Sequence, residues 1–393
     1  MKICFLTLGH VSKQRGGVDR VTDTLAQLLI QRNHEVFMIS VWKPIEGDSV
    51  ESYQYFLPSQ DILSKANISF VNDFIIDNQI DIIINQSEPM ALMKLLVSAH
   101  GSVPIVSVLH TDPMGIVKGI RDSWDKWKYN YGAIGFLLRY PYLFLRKQYQ
   151  LITRAKYIRE KYTYYYQHCA AVVLLSERFK APFKKMANLE EDKKLFAIPN
   201  PISFEKPSIP EQKEKIVLFV GRLEFSPKRL DRLIHIWSQI KDKSSWKIKV
   251  LGDGPDLDFY RNLSDRLNVK DIEFLGTVNP LPYYKRASIL CVTSSHEGFP
   301  LVITEALQNE VIPIAFDSYE TVYDLIDSEY TGYIIPSFSE KKYAEKLNLL
   351  LKNEDLRSTI RQNIRTENQI NCKFQGNNVV EYWLQLFGKL LNK

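Results

Sequence analysis

The stretch from Ser288 to Asn309 constrains the fold more than any other part of this 393-residue chain. Ser288-Ile-Leu-Cys-Val-Thr293 is a short apolar run, the pattern of a parallel strand buried on both faces. Leu301-Val-Ile-Thr-Glu-Ala-Leu-Gln-Asn309 reads as a helix, with Pro300 as its first residue. Glu297-Gly298-Phe299-Pro300 is then a tight strand-to-helix turn, and Gly298 eases the backbone through it. The first amides of a helix have no partner inside it, and its dipole is positive there. Strand, glycine turn and helix start, with Leu301 and Val302 at the first turn, predict a phosphate site. Glu297 stands at the mouth of that site. Glu305 lies eight residues on, placed to accept hydrogen bonds from vicinal hydroxyls such as a ribose diol.

The same strand–loop–helix unit recurs along the chain. Residues 2–8 and 34–40 read as strands flanking a helix that contains Val21, Leu25, Leu28 and Leu29, a βαβ opening with a parallel sheet. The helix is preceded by Gly16-Gly17, where backbone amides can approach an anion closely. Residues 81–85, 105–109 and 170–176 are further buried strands, and His110 follows the second of them, at the end where α/β folds bind ligands. Pro-rich, charged 199–215 reads as a linker. After it the pattern restarts: strand 215–220, then Gly221-Arg222 and, across Leu223-Glu-Phe-Ser-Pro227, Lys228. Two cations at the end of a strand can neutralise a diphosphate, Arg through paired hydrogen bonds and Lys as a point charge. Strands at 246–251 and 272–278 follow, bringing Gly252, Thr277 and Val278 to the same end.

The chain length suits two domains. Residues 1–200 form the first, completed by an amphipathic C-terminal helix over 376–393, and 201–375 form the second. The widely spaced Cys4, Cys169, Cys291 and Cys372 suggest core residues in a reducing compartment, neither a disulfide framework nor a metal site. No window offers about eighteen uninterrupted apolar residues, so no membrane-spanning helix is expected. The N-terminus runs straight into structure, with no room for a signal peptide. The net charge of +6 is localised: Lys118 to Lys161 carries eleven basic and three acidic residues, a net +8. This segment also holds Trp124, Trp127, Tyr129, Tyr131, Phe136, Tyr140 and Phe144, and Pro141 is expected to break it. Leu145, Tyr149, Ile152 and Ala155 share one helical face, with Arg146, Lys147, Arg154 and Lys161 opposite. Such a segment can lie on an anionic membrane surface or pack as a helix pair with a solvated basic face. No nucleic-acid recognition motif accompanies it. A nicotinamide-dependent oxidoreductase would want Gly-X-Gly-X-X-Gly after the first strand, a spacing that Gly9 and Gly16-Gly17 do not supply.

The Glu297–Glu305 pair with Gly-Phe-Pro directly after the first Glu, the Gly-Arg and Lys before it, and Ile-Pro-Asn-Pro-Ile ahead of the second domain resemble family 4 of the retaining glycosyltransferases. The resemblance implies an α/β fold of the GT-B type: two Rossmann-like domains with parallel sheets facing a cleft, the C-terminal helix crossing back to the first. It implies that Arg222, Lys228, Gly252, Thr277, Val278, Glu297, Gly298, Phe299, Pro300, Leu301, Val302 and Glu305, with Gly16 and Gly17, bind a nucleotide-sugar donor. His110 would lie near the transferred sugar, and His110, Glu297, Arg222 and Lys228 would carry catalysis. The donor is expected to be a UDP-sugar and the acceptor a glycan or lipid-linked glycan of cell-surface polysaccharide synthesis, with retention at the anomeric carbon. No cofactor and no metal are expected, since no Asp-X-Asp sits at a strand end and the cations take the metal's place. A cytoplasmic location follows, peripheral to the membrane if 118–161 binds it. The family usually has a glycine soon after the second Glu, where this chain has Glu310, and another in the region of Asp317-Ser-Tyr-Glu320. That departure supports the alternative of a non-catalytic nucleotide-sugar-binding subunit of a transferase pair.

Overall fold

The computed structural model describes residues 1–12, 16–44, 50–99, 102–202, 212–243, 245–367 and 373–391. The chain forms two compact units: 1–113 with 155–203 and 372–393, and 114–154 with 204–371.

The first unit is built on seven parallel strands: β1 (Lys2–Thr7), β2 (Glu35–Ser40), β3 (Gln54–Phe56), β4 (Ile82–Asn85), β5 (Ile105–Leu109), β6 (Ala171–Leu174) and β7 (Leu195–Ala197), in the order β3-β2-β1-β4-β5-β6-β7. β4, β5 and β6 are buried at every position, which is why they read as apolar runs without alternation. Helix Gly376–Leu391 belongs to this unit, as expected. Its Val379, Val380, Trp383 and Phe387 are buried, and Gly376 lies so close to Leu28 of helix Gly17–Gln31 that an added Cβ would come within 2.9 Å of it.

The second unit has six parallel strands: β8 (Ile216–Val220), β9 (Lys247–Leu251), β10 (Ile272–Phe274), β11 (Ile289–Val292), β12 (Ile312–Asp317) and β13 (Tyr333–Pro336), ordered β10-β9-β8-β11-β12-β13. Strand order reverses between β8 and β11. In parallel α/β sheets the crevice at such a switch point, beyond the carboxyl ends of the strands, is where ligands bind. The loops that follow β8 and β11 carry Arg222 and Lys228, and Glu297. Cys4, Cys169 and Cys291 are buried free thiols, and burial pushes each up to about 12, so they are core residues; Cys372 lies outside the described residues, as does most of the linker expected over 199–215.

Three expectations about the basic segment are corrected. Its place between β5 and β6 in the chain puts it whole in the first domain, but 114–154 packs with the second unit. Lys118 donates to the Ser318 carbonyl at 2.9 Å, Lys126 pairs with Asp256 at 2.6 Å, and Tyr129 packs edge-on against Phe259. Helix Gly115–His168 is interrupted at Gly132 (φ 64°, ψ 177°), not at Pro141, which lies within the helix on an exposed stretch where water can take the freed carbonyl. Lys161 is not part of a basic face: it is buried in the first unit and pairs with Glu88 at 2.8 Å.

Candidate active site

Glycine builds the floor of the site in the second unit. Gly221, directly after β8, has φ 155°, and a Cβ there would meet the Lys228 side chain at 3.1–3.6 Å. The absent side chain lets the aliphatic stem of Lys228 lie across the strand end. Gly252, after β9, has φ 137°, and a Cβ there would fall 2.0 Å from the Gly221 carbonyl oxygen, so no other residue fits. Its amide donates to Gly276 at 2.8 Å. Three strand ends are thus brought together as bare backbone. Beyond Gly276, Thr277 and Val278 are exposed.

Above this floor the Lys228 ammonium donates to Glu297 Oε1 at 2.7 Å. The Ser294 hydroxyl donates to the same oxygen at 2.6 Å. Both members of the pair are largely buried, so the attraction is only partly screened. The two loops are also stitched by a backbone hydrogen bond, Ser295 N donating to Pro227 O at 2.9 Å, and by the Thr293 hydroxyl, whose Oγ1 donates to Arg229 O at 2.9 Å. Arg222 stands apart, its side chain 70% exposed and paired with Glu224 at 2.8 Å. Only Lys228 of the two expected cations therefore pairs with Glu297 in this structure.

Helix Leu301–Gln308 follows the turn. Pro300 occupies its N-cap position instead of the first helical turn, with ψ 90°, and the side chain contributes no cap hydrogen bond. Phe299 is buried beneath the turn. Glu305 lies inside the helix and is buried, its Oε2 receiving the Tyr284 hydroxyl at 3.0 Å. Tyr284 therefore fixes the orientation of a carboxylate expected to face a diol.

Asp122 is a part of the site that sequence reasoning missed. It is 1% exposed, and its carboxylate reaches both loops. Oδ1 accepts from Arg229 Nη1 at 2.7 Å, and Oδ2 accepts from Ser226 Oγ at 2.7 Å and from Ser295 Oγ. Arg229 is further held by Asp231, at 3.0 and 2.9 Å, and by Asp125 at 3.0 Å. Burial pulls the Arg229 guanidinium down, but these carboxylates, Asp231 foremost, hold it above its ordinary value, so it stays a cation. Asp122 lies 106 residues ahead of Lys228, and nothing in its neighbourhood in the chain points to this partnership. A cavity of about 400 Å³ opens next to Ser295, lined by Lys118, Arg121, Asp317, Glu320 and Ser337 together with Tyr319 and Phe338, so charged, hydroxyl and aromatic groups share its wall.

Glu310 adopts φ 54°, the left-handed conformation that a glycine would take without strain. Arg365 binds its carboxylate with two hydrogen bonds, at 2.7 and 2.8 Å, and Arg361 adds a third at 3.0 Å. Burial pushes its pKa up, but the two guanidiniums outweigh it and hold the carboxyl below its ordinary value. Glu310 thus holds the left-handed turn through ion pairs to the helix that carries Arg361 and Arg365.

In the first unit Gly16 is the N-cap of helix Gly17–Gln31 and has ordinary backbone angles (φ −65°, ψ 176°). No atom of the described residues lies within 4 Å of its missing Cβ. His110 follows β5, and its Nε2 lies 2.6 Å from Gln86 Oε1, which places the ring proton on that nitrogen. Burial lowers its pKa to about 4, against a smaller upward pull from Glu88, so the ring is neutral at physiological pH. Glu88 in turn is bound by the Thr111 amide at 3.0 Å and by Lys161 at 2.8 Å.

Two family models match the chain: Glycosyltransferase Family 4 over residues 15–206, and Glycosyl transferases group 1 over 202–367. An uncharacterised glycosyltransferase of Haemophilus influenzae is 24% identical over 350 residues, 87% of this chain and 88% of the relative. A Campylobacter jejuni α-1,4-N-acetyl-D-galactosaminyltransferase, whose name gives a PP-undecaprenol-linked acceptor, is 31% identical over 186 residues, 46% of this chain and 50% of the relative. Among solved structures, S. aureus TarM, a mutant in complex with fondaparinux, α-GlcNAc-glycerol and UDP, aligns at TM-score 0.74 and 15% identity over 98% of this chain and all of the other.

Proposed function

We propose, from the premise that this chain belongs to the family 4 glycosyltransferases and has their GT-B fold, that it moves a hexose or N-acetylhexosamine from a UDP-sugar to a glycan or lipid-linked acceptor in bacterial cell-surface glycan synthesis, with retention and without a metal. The observation that carries this reading is the Lys228–Glu297 pair at the switch point of the second sheet. Lys228 is the charge that the leaving diphosphate needs, held in reserve by Glu297 until the donor arrives. As the glycosidic bond breaks, negative charge grows on the diphosphate. Lys228, the amides of Leu301 and Val302 at the helix start, and Arg222 once it exchanges Glu224 for phosphate stabilise that charge where it develops. Glu297, released from Lys228, is free to bind hydroxyls of the transferred sugar, and Glu305, oriented by Tyr284, binds the ribose. His110, neutral throughout, serves as a hydrogen-bonding group. Uridine as the base, and a membrane-borne acceptor, are supported by the UDP in the TarM complex and the undecaprenol-linked acceptor named for the Campylobacter relative. Release of nucleoside diphosphate from a panel of nucleotide sugars, with and without EDTA, and the anomeric configuration of the product by NMR test the proposal. An inverted product, or activity abolished by EDTA and restored by a divalent ion, overturns it.

A further inference from the structure

The second unit carries a surface that includes none of the residues assigned to transfer. After the reversal at Gly132 the helix runs back along the segment before it: Trp124 packs edge-on against Phe136 and Tyr140, and Leu143 is buried. Among the described residues, nothing covers the other side of the same helix. Ile134, Leu138, Tyr142, Leu145, Tyr149 and Ile152 follow one another at intervals of four, four, three, four and three residues, one stripe of an α-helix. Every one of them is exposed, by 64–77%. The stripe runs for about 27 Å at the rise of an α-helix. A run of large apolar side chains of this length is far more than a soluble surface carries by chance.

Charge identifies the occupant. From Lys126 to Arg159 the chain has eight basic residues and no acid. Arg139, Arg146 and Arg154 are exposed alongside the stripe. A second copy of this chain would bring two faces of like charge together, which disfavours a self-dimer across the stripe. An anionic bilayer satisfies both features at once: its headgroups take the arginines, and its acyl boundary takes the isoleucines, leucines and tyrosine rings. No helix among the described residues is long and apolar enough to cross a membrane, so the segment lies in the surface plane. The sequence placed the membrane-binding helix at Leu145–Lys161; the structure moves it upstream, because Lys161 is buried and Ile134 and Leu138 are the most exposed apolar residues of the stripe.

We infer that the face of residues 134–152 docks the protein on an anionic membrane surface by shallow insertion of its apolar stripe.

The test is sedimentation of the full chain with sucrose-loaded vesicles of phosphatidylcholine alone or with about 30 mol% phosphatidylglycerol, at low salt and at about 0.5 M salt, where surface attraction is largely screened. The variants are Ile134→Ser/Leu138→Ser/Leu145→Ser/Ile152→Ser, and Arg139→Glu/Arg154→Glu. All six side chains are exposed, so both variants are expected to melt with the wild type. Wild type should bind the anionic vesicles, lose most binding in high salt and bind neutral vesicles at least tenfold less. Each variant should partition at least tenfold less than wild type, with nucleotide release on a soluble acceptor unchanged. This readout does not depend on which donor or acceptor the enzyme uses. Equal sedimentation of wild type and the serine variant, or none by wild type, overturns the inference. Light scattering gives the remaining outcome: a wild-type dimer that the serine variant converts to monomer assigns the face to a second copy and refutes membrane docking.

Discussion

Replacing Asp122 with Asn tests whether a carboxylate outside both loops holds them together. The substitution keeps the size of the side chain but turns one acceptor oxygen into a donor. That donor faces Arg229 Nη1 on one side or the Ser226 and Ser295 hydroxyls on the other. The serines can rotate to accept, but a guanidinium cannot. Breaking a buried ion pair by removing one partner costs about 3–5 kcal/mol. Arg229 keeps Asp231 and Asp125, so it is not left uncompensated, and the lower end, about 3 kcal/mol, applies. With a urea slope of about 2–3 kcal/mol/M, the unfolding midpoint of the second unit should fall by about 1 M. UDP affinity should fall as well, by about tenfold, because the Ser226 and Ser295 contacts fix the loops that carry Lys228 and Glu297; a tenfold loss is about 1.4 kcal/mol. Urea unfolding followed by tryptophan fluorescence and calorimetric UDP titration read the two effects. A midpoint shift under about 0.3 M together with unchanged UDP affinity would refute the bridging role, since it would put the loss below about 1 kcal/mol.

Glu310→Ala should destabilise more than Glu310→Gly, by about 1 kcal/mol: both lose Arg361 and Arg365, but only glycine relieves the left-handed backbone; thermal melts of the pair decide it, and equal stabilities would sink the argument. His110 has a folded pKa of about 4 against an ordinary 6.5. Between those pH values the unfolded chain binds more protons than the folded one, so this group makes stability rise with pH from about 4 to 6.5 and contributes no slope above. His110→Gln should lose that slope, and an NMR titration placing the His110 ring near 6.5 would contradict it.

Much of this was legible in the residues. Strands buried on both faces, such as Ile289–Val292 and Ile105–Leu109, announce themselves as apolar runs, and the turn Glu297–Pro300 with Lys228 ahead of it marked the crevice. Strands Gln54–Phe56 and Tyr333–Pro336 are not legible in the sequence, since both are short and each is buried only in part. Arg222 and Lys228 looked equivalent in sequence; their different ion partners depend on the three-dimensional path of the loop. Asp122, Ser226 and Ser295 converge from three parts of the chain, and Tyr284 reaches Glu305 from 21 residues away. Such partnerships are set by packing, which local periodicity does not encode. The basic segment divides for the same reason: connectivity places it with the first sheet, but up to Arg154 it packs with the second unit, where Lys126 pairs with Asp256 and Tyr129 meets Phe259.

The measurement that tests the central claim most directly is the single-turnover rate of nucleotide release by Lys228→Met, with saturating donor and acceptor. In the proposed mechanism Lys228 stabilises the leaving diphosphate, so its loss should lower the rate by about 100-fold or more, on the order of 3 kcal/mol of transition-state stabilisation. The fold should survive, because glycines and backbone hydrogen bonds shape the floor beneath it. A folded Lys228→Met enzyme working within about threefold of wild type would contradict the account, because less than about 1 kcal/mol would then rest on the cation paired with Glu297.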